Sequence, residues 1–185
     1  MLIDITLKIT PKMIAEAGYE RSMSGHLGTH FDVMNKEFPL EFTKRNGIVF
    51  DVSRIVDSEI TSDDIDLDRV YANMFVAFYT GFIERVGYGN ALYFGEHPQL
   101  SNELIDALLN KEISIIGIDC AGVRRGKEHT AKDQYCADRG VFIVENLCNL
   151  SAVLAGEMVH IFVANTYPLN FSGMTGLPCR VVAEL

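Results

Sequence analysis

Two histidines and an aspartate crowd into one short stretch. Residues 24–36 read S-G-H-L-G-T-H-F-D-V-M-N-K, which places His26, His30 and Asp32 within seven residues. Two imidazoles and a carboxylate are the ligand set that borderline divalent metals such as Zn²⁺ and Mn²⁺ take. On a helix, positions i and i+4 share a face but i+6 points away. On an extended strand all three share a face, yet i to i+4 spans about 13 Å. That is the limit of reach for two histidines bonded to one ion at about 2.0–2.1 Å. A chain bent at Gly28 meets both constraints, because glycine adopts positive φ at little cost. The Thr29 hydroxyl is then free to tie the bent backbone or a ligand side chain. The stretch reads as a bent metal-binding loop. It also reads as an ordinary loop with two polar-paired histidines and a capping aspartate.

A second carboxylate comes from far along the chain. Residues 141–144 are an apolar strand that delivers Glu145 at its end, where a lone buried carboxylate is costly without a cation or a helix N-terminus. The elements that must position these groups follow from periodicity. Residues 2–9 alternate as a strand. A short helix is expected over 11–16 with Pro11 at its start. Asn46-Gly47 is a turn signal before a strong strand over 48–52. Thr61 or Ser62 reads as the N-cap of a helix. Residues 70–79 read as a buried strand ended by Thr80-Gly81, and residues 88–94 as a loop. Ser101 reads as the N-cap of a helix over 102–110, whose face is Leu104, Ile105, Leu108 and Leu109. Strands are expected over 113–118, 158–164 and 179–183. A helix over 130–139 ends at Gly140. Strands alternating with helices imply an α/β domain.

At 185 residues the chain reads as one domain, 1–185, with 48% hydrophobic residues. No apolar run approaches the length of a membrane span, and the N-terminus lacks the basic and apolar regions of a secretory signal. A cytoplasmic protein is the default expectation. The net charge is −9, from 16 basic and 25 acidic residues, and without a basic patch nucleic acid is excluded as a partner class. Six acidic residues between Asp57 and Asp68 lack calcium-loop spacing and read as a solvated turn. Cys120, Cys136, Cys148 and Cys179 form no C-x-x-C pair and read as free thiols. His97, before Pro98, reads as surface or helix-entry structure. His160 reads as a paired core or interface residue.

H-L-G-T-H-F-D at 26–32 resembles the H-x-G-T-H-x-D signature of the metal-dependent cyclase family, which includes bacterial-type kynurenine formamidase (arylformamidase) and isatin hydrolase. The likeness runs along nearly the whole chain. Its supporting segments are L-I-D-I-T at 2–6, Y-T-G at 79–81, E-H-P at 96–98, I-G-I-D at 116–119 and I-V-E-N-L with Asn149-Leu150 from 143. The resemblance implies a swivelling β/β/α fold with a mixed sheet and flanking helices, and assembly into a homo-oligomer, a dimer or tetramer. It implies His26, His30, Asp32 and Glu145 as ligands of Zn or Mn; with a metal there, Glu145 or Asp133 could take the proton of a bound water. It further implies hydrolysis of a C–N bond in a formamide, amide or lactam, with N-formylkynurenine of tryptophan catabolism as the arylformamidase substrate. Tyr19, Tyr79 and Phe82 are the implied aromatic walls.

Two positions depart from the family pattern. Lys36 stands where a histidine usually follows the aspartate, and Met34 replaces a proline. Asp133 stands twelve residues before Glu145, where another histidine is usual, while His129 lies sixteen before it. These replacements suggest a Lys36–Asp133 ion pair in place of a second metal, one tightly bound metal per chain, and Lys36 and Asp133 as participants in proton transfer. The competing readings are a member of the fold that binds metal or ligand without catalysis, and a structural subunit without metal.

Overall fold

The computed structural model describes all residues, 1–185. Its strands are β1 (Leu2–Asp4), β2 (His30–Asp32), β3 (Lys44–Asp51), β4 (Phe75–Tyr79), β5 (Ile115–Ile118), β6 (Phe142–Glu145), β7 (Val159–Pro168) and β8 (Gly176–Glu184). Its helices are α1 (Pro11–Met23), α2 (Phe82–Val86), α3 (Ala91–Gly95), α4 (Asn102–Asn110), α5 (His129–Asp138) and α6 (Leu150–Leu154).

The strands form one mixed sheet in the order β1-β8-β2-β6-β5-β4-β3-β7. Strands β3, β4, β5 and β6 run parallel. Strand β7 is antiparallel to both β3 and β8, so seven strands close into a barrel. Strand β1 extends the β8 edge beyond β2. Alternation along the strands sorts the core into two faces. Phe31, Val49, Phe75, Ala77, Ile115, Phe142, Val144, Phe162, Leu177 and Val181 fill the face common to all seven strands. Ile48, Phe50, Val76, Phe78, Ile116 and Ile143 point the other way, against Leu104, Ile105 and Leu108 of α4 and Cys136 of α5. The four α4 residues with helical spacing are all buried, and Ser101 caps that helix by accepting from the Leu104 N–H at 3.1 Å.

Several boundaries differ from expectation. Strand β1 covers only residues 2–4, with one further bridge between Thr6 and Leu147. Helix α1 runs on to Met23, with no buried residue and a break at Gly18. Asn46-Gly47 lies inside β3 rather than at a turn, because a Cβ at Gly47 would meet the Phe162 ring at 2.6 Å. Residues 62–64 make only a 3₁₀ turn, tied by Asp64 accepting from the Thr61 N–H and hydroxyl. Residues 70–74 are irregular, and β4 starts at Phe75. The stretch 88–94, expected as a loop, contains most of α3. All four cysteines are free.

Candidate metal centre

The backbone between the histidines is part turn, part strand. Gly28 takes φ 72°, the bend expected there, and β2 begins two residues later. The Thr29 hydroxyl donates to the Asn146 carbonyl at 2.7 Å and accepts from the Leu7 N–H at 2.8 Å. Asn146 completes the tie by donating from its side chain to the Gly28 carbonyl and accepting from the Tyr93 hydroxyl. The Gly28 N–H donates to the Tyr88 hydroxyl oxygen.

Register then does the rest. Strand β2 lies between β6 and β8, and His30 stands directly opposite Glu145. Directly opposed residues of an antiparallel pair project to the same face, with Cβ atoms about 4.5–5.5 Å apart. Asp32, two residues on, shares that face. It is the outer face, on which Ile143 packs toward α5. His30 Nε2 lies 3.6 Å from Glu145 Oε2 and 3.7 Å from Asp32 Oδ1. His26 Nε2 comes back over the turn to 3.1 Å from Asp32 Oδ1. One ligand atom from each of His26, His30 and Asp32 falls within a 4.8 Å group.

Helix α5 closes the site from the other side. Its first residue, His129, puts Nε2 3.3 Å from Asp133 Oδ2 and 3.6 Å from Glu145 Oε1. Asp32, His129 and Asp133 form a second group of the same tightness. His129 therefore occupies the space that the sequence reading treated as stripped of imidazole. One turn of helix separates it from Asp133, and on a helix i and i+4 share a face. The Lys36–Asp133 pair does not form. Lys36 Nζ instead lies 2.6 Å from Asp138 Oδ1, on the exposed end of α5, and lines a separate cavity beside Phe38 and Tyr167. The physical reason is that Asp133 faces inward from α5 and is buried, whereas Asp138 is exposed at its end.

The histidine tautomers follow from their outer nitrogens. His30 Nδ1–H donates to the Gly28 carbonyl at 2.8 Å, and His129 Nδ1–H to the Arg124 carbonyl at 3.1 Å. Both Nε2 atoms are then left with a lone pair facing the carboxylates, the arrangement in which imidazole ligates metal. His26 Nδ1 meets the Ser24 hydroxyl at 2.9 Å. Arg124 holds the loop before α5: its buried guanidinium binds Glu59, Glu128 and the Leu100 carbonyl.

The electrostatics are those of a cluster short of positive charge. Burial pushes Asp32 up, but the imidazoles of His30 and His26 outweigh burial and hold it well below the usual carboxylate range. Burial and the Asp32 charge push Asp133 up to about 9. Burial, Asp32 and Asp133 together drive Glu145 well above its ordinary value. Four buried side-chain atoms here have no hydrogen-bond partner: His30 Nε2, Asp32 Oδ2, Asp133 Oδ1 and Glu145 Oε1. An unpaired buried polar atom costs about 1–3 kcal/mol, so four converging on one spot fit a cation. The mixed imidazole and carboxylate donors fit a borderline divalent metal.

A cavity of about 400 Å³ opens over the cluster, lined by Arg21, Phe94, Ala121, Gly126, Thr130 and Asn146 together with His26, His30, His129 and Glu145. The aromatic walls expected from the sequence lie elsewhere. Phe82 is buried against Tyr93, Tyr79 donates its hydroxyl to Glu84, and Tyr19 is exposed on α1. Arg21, Phe94, Asn146 and His129 were missed as site residues. Asn146 carried a signal: it follows the strand carboxylate and takes φ 58°, which asparagine tolerates. His97 is buried rather than on the surface, with Nδ1 against the Pro98 carbonyl. His160 pairs with Glu157. No helix is long and apolar enough to cross a membrane.

The model of the Cyclase family matches residues 3–125. No curated protein matches the chain. Among solved structures, the chain resembles a "potential metal-dependent hydrolase with cyclase activity" at 22% identity and TM-score 0.75, covering 99% of this chain and 96% of that one. It also resembles isatin hydrolase A from Labrenzia aggregata, at 20% identity and TM-score 0.74, with 99% and 93% covered. The same enzyme from Ralstonia solanacearum gives 18% identity and TM-score 0.74, with 99% and 91% covered.

Proposed function

Because the chain belongs to the Cyclase family, we propose that it is a metal-dependent hydrolase of a C–N bond in a formamide, amide or lactam. The observation that carries this reading is the cluster of four partnerless buried atoms on His30, Asp32, Asp133 and Glu145, two of which, His30 and Glu145, line the cavity. His26, His30 and Asp32 would hold one divalent ion, and Asp32, His129 and Asp133 offer donors for a second. A divalent ion bound there supplies a Lewis acid that acidifies water and polarises a carbonyl oxygen.

The chain's own residues supply the remainder. Glu145 lies on the cavity wall within reach of both His30 and His129. It is the group that takes the proton of the attacking water and returns it to the leaving nitrogen. His129 stands on the opposite wall with Asp133 against it, and Asn146 ties the end of β6 that carries Glu145. Lys36, paired with Asp138 outside the cavity, has no part in the transfer.

The test is turnover. Protein reconstituted with Zn²⁺ or Mn²⁺ should hydrolyse N-formylkynurenine, isatin or a simpler aryl amide, and both His26→Ala and Glu145→Gln should lower kcat/KM at least about 100-fold. A second reading is a metal-binding member that has lost catalysis, favoured by the absence of the two family histidines at Lys36 and Asp133. Metal bound at these ligands with no turnover of any amide would select it. Protein that takes up neither ion would exclude both.

A further inference from the structure

The cavity over the cluster has one Lys or Arg in its lining, Arg21. Its guanidinium lies over the Phe94 ring, 4.0 Å from the centroid, and makes no hydrogen bond or ion pair within the chain. In a protein of net charge −9, this half-buried arginine meets no carboxylate, whereas three other arginines do. Arg124 holds Glu59 and Glu128, Arg125 holds Glu96, and Arg180 holds Asp4. Stacking on an aromatic ring fixes the plane of the guanidinium while leaving its edge donors free.

We propose that Arg21 is the residue that selects substrate charge, by binding a carboxylate on the substrate while the amide lies against the metal centre. This rests on the hydrolase reading above. The guanidinium edge matches a carboxylate two-by-two. One guanidinium edge takes one carboxylate, and Arg21 is the one Lys or Arg in the cavity lining. The substrate class is therefore an amide that carries one carboxylate rather than a neutral lactam.

Local structure supports a selecting role over a load-carrying one. Helix α1 buries no residue, so Arg21 is not placed there to build the core. Gly18 breaks the helix at φ 75° and ψ 164°, a conformation open to glycine almost alone, which re-aims the last turn that carries Arg21. The Arg21 carbonyl accepts from the His26 N–H at 3.1 Å. The backbone that presents the cation thus continues directly into the first histidine, so anion and metal are read by one short segment.

The experiment uses metal-loaded protein and slow amides, so that binding is read apart from turnover. The probes are the three acetamidobenzoate isomers and uncharged acetanilide, titrated calorimetrically. Wild type should bind at least one isomer about 10- to 100-fold tighter than acetanilide, the worth of a charge-assisted pair. Arg21→Gln should abolish that preference with acetanilide affinity and metal content unchanged, and Arg21→Lys should retain part of it. A wild type without the preference overturns the proposal. So does a preference that survives Arg21→Gln, because the carboxylate would then be held by the metal. Loss of metal in Arg21→Gln would also overturn it, by making the residue structural. A preference that behaves as expected in a protein that hydrolyses no formamide or amide would sink the hydrolase reading and leave the Arg21 assignment standing.

Discussion

At the scale of single residues, the site turns on which carboxylate faces which cation. Asp133 is buried against His129, and Asp138 is exposed against Lys36. Exposed ion pairs of this kind contribute about 0–1 kcal/mol. Lys36→Ala should therefore leave metal content unchanged and stability within about 1 kcal/mol of wild type. Asp133→Asn should lower the metal bound per chain, because it removes a donor of the second group. Elemental analysis of protein dialysed against Zn²⁺ or Mn²⁺ checks both. Metal loss in the lysine variant, or none in the asparagine variant, contradicts this assignment. The sequence made the first group legible because H-x₃-H-x-D is compact in the chain. It hid the second because His129 and Asp133 meet Asp32 only through tertiary contact. A gap counted along the chain from Glu145 does not show that His129, one turn before Asp133, faces the same carboxylate.

At the scale of elements, β2 is a three-residue strand that carries two ligands, and so short an element needs outside support. Thr29 supplies much of it, joining the segment after β1 to the end of β6 through one hydroxyl. Thr29→Val keeps the shape and leaves the Leu7 N–H and the Asn146 carbonyl without that partner. The expected cost is about 1–3 kcal/mol, read from urea unfolding of metal-free protein, together with weaker metal binding. An unchanged midpoint would show that water replaces the hydroxyl. Helix α4 was legible because its apolar face, its cap and its length agree. The Asn46-Gly47 pair misled because hairpin chemistry and close ring packing ask for the same residue. Here glycine makes room for Phe162. Strands β7 and β8 ran longer than their apolar cores, since their pairing with each other extends past the residues they bury.

At the scale of the molecule, stability should depend on pH through His97. Burial is the largest cause that holds its pKa down to about 4, against an ordinary value of 6.5. Between those pH values the unfolded chain binds a proton that the folded chain refuses, so stability rises with pH across that window. The contribution is complete above about 6.5 and is lost as pH falls toward 4. Between pH 7.5 and 4.5 wild type should lose about 2–3 kcal/mol more than His97→Gln. Urea titrations of both proteins at the two pH values measure the difference. Parallel losses would mean that the folded ring takes up its proton as readily as the unfolded one.

The closed barrel also fixes an order of events. Strand β2 is laid between β6 and β8, pairing His30 with Glu145 and with Pro178. A chain leaving the ribosome at about 5–20 residues per second exposes His26, His30 and Asp32 many seconds before either partner strand exists. Such distant pairings make folding slow, because loop closure must be met before contacts reward it. The complete ligand set is therefore among the last parts of the molecule to form. Metal captured by that set cannot guide the early chain and instead locks a barrel that has already closed.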